Sequence, residues 1–95
     1  MKGSIERVSI LREIISRKYT AQILFLLYTK PLRFNKIKQL IPNITSRTLS
    51  EELNRMQDLR LIEKSNDEIT TYSIKNKSKD IVELLKKIVI IAENL

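Results

Sequence analysis

The residues with the most informative chemistry lie between Thr45 and Asp58. Thr45 is a good helix N-cap, because its hydroxyl can accept a hydrogen bond from a free backbone N–H of the next turn. Leu49, Leu53 and Met56 follow at helical spacing and predict an apolar stripe on a helix that ends near Asp58. The remaining side of this helix carries residues that can contact a base edge or a phosphate: Arg47, Ser50, Glu51, Asn54 and Arg55. The pattern therefore predicts a helix with one buried face and one hydrogen-bonding face.

The segments on either side of this helix predict how it is positioned. A shorter helix is expected at 35–41, with Asn35 as its cap, Lys36 and Lys38 facing outward, and Pro42 and Asn43 ending it. After the long helix, the β-rich runs 61–65 and 69–74 are separated by residues 66–68, which predicts a hairpin. The order helix, turn, helix, hairpin is that of a winged helix. We therefore expect a mainly α fold with a small β-hairpin.

The other predicted elements complete a helical frame. Residues 20–29 are almost wholly apolar and predict a central buried helix, and residues 32–34 are expected to be extended and could add a short third strand. Residues 4–16 and 77–95 predict amphipathic helices whose apolar faces are broader than one small core requires. The economical cover for such faces is the same surface of a second copy about a two-fold axis, although a core role alone would also explain them.

Composition limits the possible chemistry. A chain of 95 residues that is 42% hydrophobic fits one folded domain. It contains no cysteine and no histidine, which excludes disulfides, thiol nucleophiles and the usual zinc sites. A single glycine cannot build a phosphate-binding loop. We expect no enzymatic activity, no cofactor and no bound metal.

Charge is concentrated in the first half of the chain. Residues 1–48 hold ten Lys or Arg against two Glu, for a net charge of +8, whereas residues 49–95 hold eight against nine, for −1. A polyanion is the natural partner for such a field, although surface lysines can also serve solubility alone. The longest apolar run, 23–28, is too short to cross a bilayer, and no signal peptide is recognised. We expect a cytoplasmic protein without a membrane partner.

Several short motifs, taken together, resemble one family of regulators. Their order and spacing match the HxlR-type transcriptional regulators, a dimeric winged-helix family close to MarR, over about residues 17–85. The matching runs are RKYT at 17–20, RFNKI at 33–37, LIPNIT at 40–45, TLS at 48–50 with Leu53 and Leu59, LIEK at 61–64 and YSI at 72–74. The resemblance implies a homodimer that binds double-stranded DNA, with residues 19–76 as the DNA-binding lobe of a single domain, 1–95. Residues 1–16 and 77–95 would be the dimerisation helices.

The resemblance also assigns positions within the DNA-binding lobe. It implies that Thr45 caps a recognition helix, 45–58, that lies in the major groove, and that the hairpin after Lys64 is the wing. The expected DNA-binding residues are Thr45, Ser46, Arg47, Ser50, Asn54, Lys36, Lys38, Arg33 and Lys64. A solvated lysine face explains Lys36 and Lys38 equally well. The alternative function is a winged-helix protein-interaction module that binds no DNA.

Three features depart from the family pattern. Arg60 stands where relatives commonly have a glycine that ends the recognition helix, so the turn must close without the residue best suited to a left-handed conformation. The wing is short and carries Asp67 and Glu68, which would repel phosphate. Some relatives sense oxidants through a thiol, and a chain without cysteine cannot.

Overall fold

The computed structural model describes residues 9, 12, 14 and 16–94. The described positions of the predicted first helix, Ser9, Arg12, Ile14 and Ser16, are helical, and the rest of that prediction lies outside the described residues. From Thr20 onward the elements follow in the predicted order: α1 (Thr20–Thr29), α2 (Phe34–Leu40), α3 (Ser46–Asp58), β1 (Ile62–Ser65), β2 (Thr71–Ile74) and α4 (Asn76–Glu93). A mainly helical fold with one antiparallel hairpin is confirmed, as a winged helix-turn-helix requires.

One helix start was predicted at the wrong residue. Helix α2 begins at Phe34, and its N-cap is Arg33, whose carbonyl accepts from the amide of Ile37 and whose side chain makes no capping bond. Asn35 is therefore the second residue of the helix rather than its cap. Phe34 packs against the core, and this burial outweighs the capping preference of an exposed asparagine.

The hairpin is smaller than predicted. Strands β1 and β2 pair from Ile62↔Ile74 to Ser65↔Thr71, which leaves residues 66–70 as the loop. The expected third strand reduces to one bridge, in which Leu32 and Tyr72 exchange two backbone hydrogen bonds of 3.0 and 2.8 Å. A longer third strand cannot form after Leu32, because α2 already begins at Phe34.

The core lies between α1, α3 and the hairpin. The side chains of Ile23, Leu24 and Leu27 in α1 are buried, as the apolar run predicted, and Phe25, Leu26 and Tyr28 pack partly exposed at its edge. The core side chains from the other elements include Ile37, Leu49, Leu53, Met56, Leu61, Ile62, Ile74 and Val82. The apolar stripe of α3 is therefore part of this core, and α3 packs against β1.

The end of α3 is a Schellman motif closed by an arginine. The amide of Leu61 donates to the carbonyl of Met56 at 3.0 Å, and the amide of Arg60 donates to that of Gln57 at 2.9 Å. Both bonds of the motif are thus present, with buried Met56 and Leu61 as its apolar pair. Arg60 has φ 60°, so the left-handed turn expected at this position does close without glycine.

The start of helix α4 is hydrogen-bonded to this turn through the backbone carbonyl of Leu61. The backbone carbonyl of Leu61 accepts from the hydroxyl of buried Ser78 at 2.8 Å and from the amide of Lys75 at 3.1 Å. Farther along, Tyr28 of α1 donates its hydroxyl to Glu83, and the ammonium of Lys86 lies 3.9 Å from the centre of the Tyr28 ring. These contacts place α4 against α1 while most of its last two turns stays exposed.

Candidate nucleic-acid interface

The N-terminus of α3 is capped as the sequence predicted. The Thr45 hydroxyl accepts from the amide of Thr48 at 3.1 Å, and Thr45 itself is extended, with φ −83° and ψ 157°. This cap is preceded by Asn43, whose φ of 64° turns the chain between the two helices. Asparagine tolerates that conformation better than most residues. The turn therefore brings the first residues of α3 to the surface, where Thr45 and Ser46 are exposed.

Three polar side chains share the free face of α3. Arg47, Ser50 and Asn54 are exposed. At about 100° per residue they fall within an arc of about 60°, and at about 1.5 Å per residue they span about 10 Å along the axis. The buried side of the helix is formed by Leu49, Glu52, Leu53 and Met56. The structure thus gathers three of the predicted contact residues into one accessible strip opposite the core.

Arg47 is held loosely within this strip. Its Nε donates to Glu51 Oε1 at 3.1 Å, and the two side chains are 91% and 66% exposed. An exposed ion pair one helical turn apart contributes only ~0.3–0.5 kcal/mol. Arg47 can therefore leave Glu51 and bind a ligand with little loss of free energy.

The remaining predicted residues lie on other elements. Arg33 precedes α2, Lys36 and Lys38 lie on α2, and Lys64 lies on β1. All four side chains are exposed. The Lys64 ammonium is 5.9 Å from the centre of the Tyr72 ring. Lys38 also borders a shallow depression of about 310 Å³ with Asn35 and Gln39. The exposure of these cations leaves them available to a polyanion.

The wing presents acid at its tip. Residues 66–70 are exposed, and the Ser65 hydroxyl at their base donates to the carboxylate of Asp67 at 3.0 Å. Asp67 and Glu68 are therefore both exposed in the loop between β1 and β2. The two acidic side chains are exposed, and weak binding of phosphate by this loop stays a prediction.

Arg55 was expected on the polar face of α3, and this expectation is wrong. Its side chain is only 21% exposed, and its guanidinium donates to the carboxylate of Glu52 and, at 2.5 Å, to the hydroxyl of Thr20. Thr20 in turn donates to Glu52 Oε1 at 2.5 Å, and Arg17 approaches Glu52 Oε2 at 3.8 Å. Glu52 is buried, and the sequence had given it no role.

Glu52 is ionised within this cluster. Burial alone raises the pKa of the Glu52 carboxyl. The hydrogen bonds from Arg55 and Thr20, together with the charges of Arg55 and Arg17, outweigh burial and hold the pKa below its ordinary value. The cluster is therefore a largely buried ion pair of Glu52 and Arg55 to which Thr20 is hydrogen-bonded, extending from the start of α1 to the middle of α3.

Other kinds of site are not found in the described part of the chain. No group of three or more His, Cys, Asp or Glu side chains there could hold a metal ion. Within residues 16–94 there is also no helix with the length and apolar character needed to span a bilayer. The exposed strip of α3 and its flanking cations are the features that remain.

The helix-turn-helix, the capped helix with its free polar strip and the hairpin define a winged helix-turn-helix protein. The chain belongs to the HxlR-like helix-turn-helix family, whose model matches residues 14–94. The search of curated proteins gave no match. The family and its solved members support a DNA-binding transcriptional regulator, a class whose members are typically not enzymes.

Solved structures of regulators share this fold. A protein described as a possible HxlR family transcriptional factor from Thermoplasma volcanium GSS1 is 29% identical, with a TM-score of 0.72 over 85% of this chain and 80% of that chain. A MarR family regulator from Porphyromonas gingivalis W83 is 26% identical, with a TM-score of 0.79 over 93% and 91%. The reduced form of the regulator YodB from B. subtilis has a TM-score of 0.85 over 94% and 91%, and at 18% identity it supports the fold alone.

Proposed function

We propose that this protein binds double-stranded DNA in a sequence-specific manner as a homodimer and regulates transcription. The recognition helix, 45–58, lies in the major groove in this proposal. The observation that carries it is the exposed strip of Arg47, Ser50 and Asn54 on α3, opposite a fully buried face. A helix held from behind by the core and free in front is what a major groove can accommodate.

The strip has the chemistry that base recognition requires. An arginine can donate two parallel hydrogen bonds to guanine, an asparagine pairs in the same bidentate way with adenine, and a serine can serve either base. Arg33, Lys36, Lys38 and Lys64 would hold the backbone phosphates, which set the register of the protein on the duplex. Residues 19–76 form the DNA-binding lobe in this proposal.

The dimer is proposed from the exposed apolar side chains of α4 from Leu84 onward. Leu84, Ile88, Val89, Ile90 and Ile91 are 47–62% exposed, which is an unusual concentration of large apolar side chains on one helix. A shallow depression of about 380 Å³ between α1 and α4 lies in the same region and is lined by Phe25, Lys86, Val89, Ile90 and Glu93. A second copy would cover this surface, with 1–16 and 77–95 as the pairing helices. The two recognition helices would then contact half-sites about 34–36 Å apart in a pseudo-palindrome.

A matched pair of variants tests the DNA-binding proposal. Arg47→Ala and Lys79→Ala each remove one exposed positive charge, and Lys79, in the first turn of α4, is not among the side chains proposed to contact DNA. Binding to a fluorescent duplex carrying the selected site is measured by anisotropy at one fixed salt concentration. Arg47→Ala should weaken binding by about 5- to 150-fold per half-site, and Lys79→Ala by less than about threefold.

The acidic wing favours the second candidate, a protein-interaction module that binds no DNA. Asp67 and Glu68 are exposed at the position where many winged helices approach phosphate. If the wild-type protein fails to bind mixed genomic DNA even at low salt, this candidate replaces the first. Equal affinities of Arg47→Ala and Lys79→Ala for the duplex would instead mean that the protein binds DNA through its net charge. They would exclude α3 as the recognition helix.

A further inference from the structure

The buried cluster behind the recognition helix has no part in the contacts described above. It joins Thr20, the first residue of α1, to Glu52 and Arg55 in the middle of α3. We propose that Thr20, Glu52 and Arg55 are positioning residues that fix the rotation of α3 on α1, so that the exposed strip can discriminate between DNA sequences. This inference rests on the proposed function and adds to it the device that sets specificity.

The cluster supplies a directional restraint that the apolar stripe cannot. Leu49, Leu53 and Met56 hold α3 against the core, but apolar contact is non-directional and defines the rotation of a helix less sharply than oriented hydrogen bonds do. Hydrogen bonds weaken steeply with angle, and a buried carboxylate that loses its partners is costly. Rotation of α3 would therefore be resisted by the contacts of Glu52 and Arg55 in addition to its apolar packing.

A small rotation is enough to disrupt base recognition. Side chains reach about 5–6 Å from a helix axis, so a rotation of about 20° moves their ends by about 2 Å. A base-edge hydrogen bond is made over a range of about 0.5 Å, so such a shift breaks it. Phosphate contacts through long lysine side chains tolerate the same shift. Loss of the cluster should therefore reduce discrimination more than overall affinity.

The cluster lies directly behind the strip that it is proposed to orient. Glu52 is one residue from Glu51 and two from Ser50, and Arg55 adjoins Asn54, so the same two turns carry both sets. Helix α1, which carries Thr20, is itself held firmly in the core. Thr20 is fully buried, and α1 supplies three fully or almost fully buried core side chains. The Glu52 carboxylate also meets α1 at its N-terminal residue, where the positive end of the helix dipole favours an anion.

Thr20→Val tests this role because it removes the hydroxyl and keeps the shape of the side chain. Thr20→Ser restores the hydroxyl, and Ile23→Val, another fully buried site in α1, is the control that disturbs packing without touching the cluster. For each protein we would measure the melting temperature, the affinity for a duplex selected from a random pool, and the affinity for a scrambled duplex at the same salt concentration. The ratio of the two affinities is the readout, because a role in stability alone would not change it.

Thr20→Val should lower the ratio by about tenfold or more, the loss expected from one misread base pair, while the affinity for scrambled DNA stays within about twofold. Thr20→Ser should recover the ratio, and Ile23→Val should keep it whatever its melting temperature. Should Thr20→Val fail to fold, Glu52→Gln is measured in the same way. An unchanged ratio in the folded cluster variant, or an equal fall in Ile23→Val, overturns the inference. A wild-type protein that does not discriminate between the duplexes overturns the proposed function as well.

Discussion

Replacement of Arg60 by glycine should stabilise the protein. Arg60 closes the Schellman motif at the end of α3 with φ 60°, and its side chain is exposed. A residue with a Cβ loses about 1–2 kcal/mol in the left-handed helical region. Glycine avoids that penalty but loses about 0.5–1 kcal/mol more backbone freedom on folding. The difference predicts that Arg60→Gly raises the free energy of unfolding by about 0.5–1 kcal/mol.

Urea denaturation followed by circular dichroism measures this change directly. For a small domain, a gain of 1 kcal/mol moves the melting temperature by about 4–8 °C, and the urea midpoint should rise by a few tenths of a molar unit or more. Protein concentration must be equal in all samples, because dimer formation would make stability depend on it.

Two further glycine substitutions show whether the backbone is the cause. Asp58→Gly places glycine at the exposed last residue of α3, where the conformation is helical, and should destabilise by about 0.5–1 kcal/mol. Asn43→Gly replaces a residue that already tolerates its φ of 64° and should change stability little. If Arg60→Gly is no more stable than the wild type, the left-handed conformation of Arg60 does not destabilise the fold as argued here, and the reasoning fails.

Three other perturbations have defined outcomes. Because the folded-state pKa of Glu52 is lowered, its contribution to stability is complete above the ordinary pKa of 4.5 and is lost as the pH falls below that value. The stability of Glu52→Gln should therefore depend less on pH than that of the wild type in this acidic range, and parallel pH profiles of the two proteins would contradict this. Ile88→Glu puts a charge in the exposed apolar face of α4, and sedimentation equilibrium should show it at the 11.2 kDa of one chain while the wild type sediments at twice that mass; a monomeric wild type would exclude the proposed pairing. Glu51→Gln removes the carboxylate beside Arg47 and should tighten binding to scrambled duplex by a fewfold at low salt, whereas unchanged binding would place Glu51 away from the DNA.

The sequence predicted the elements whose signals are local. The cap at Thr45, the stripe of Leu49, Leu53 and Met56, and the end of α3 at Asp58 are confirmed, because each depends on residues within a few positions of one another. The left-handed turn at Arg60 was expected from the family resemblance alone, because relatives commonly have a glycine at this position. The exposure of Arg47 and Asn54 followed from the same periodicity.

Contacts between distant residues could not be predicted in this way. Glu52 follows Leu49 by three residues and so falls on the buried stripe, and this position was the available signal that it is not a solvent-facing acid. Its partner Thr20 lies 32 residues earlier, and no periodicity connects the two. Arg55 was misplaced because its direction is set by the buried Glu52 carboxylate one turn earlier and by Thr20, which lies 35 residues away. The capping role of Asn35 failed because the burial of Phe34 decided where α2 begins.

Selection from a random pool of duplex DNA, followed by sequencing of the bound fraction, tests the central claim most directly. The account predicts that the wild-type protein enriches a pseudo-palindrome whose half-sites are centred about one helical turn apart, and that Arg47→Ala loses enrichment at one position in each half-site. Failure of the wild type to enrich any sequence, or an identical consensus from Arg47→Ala, would contradict it.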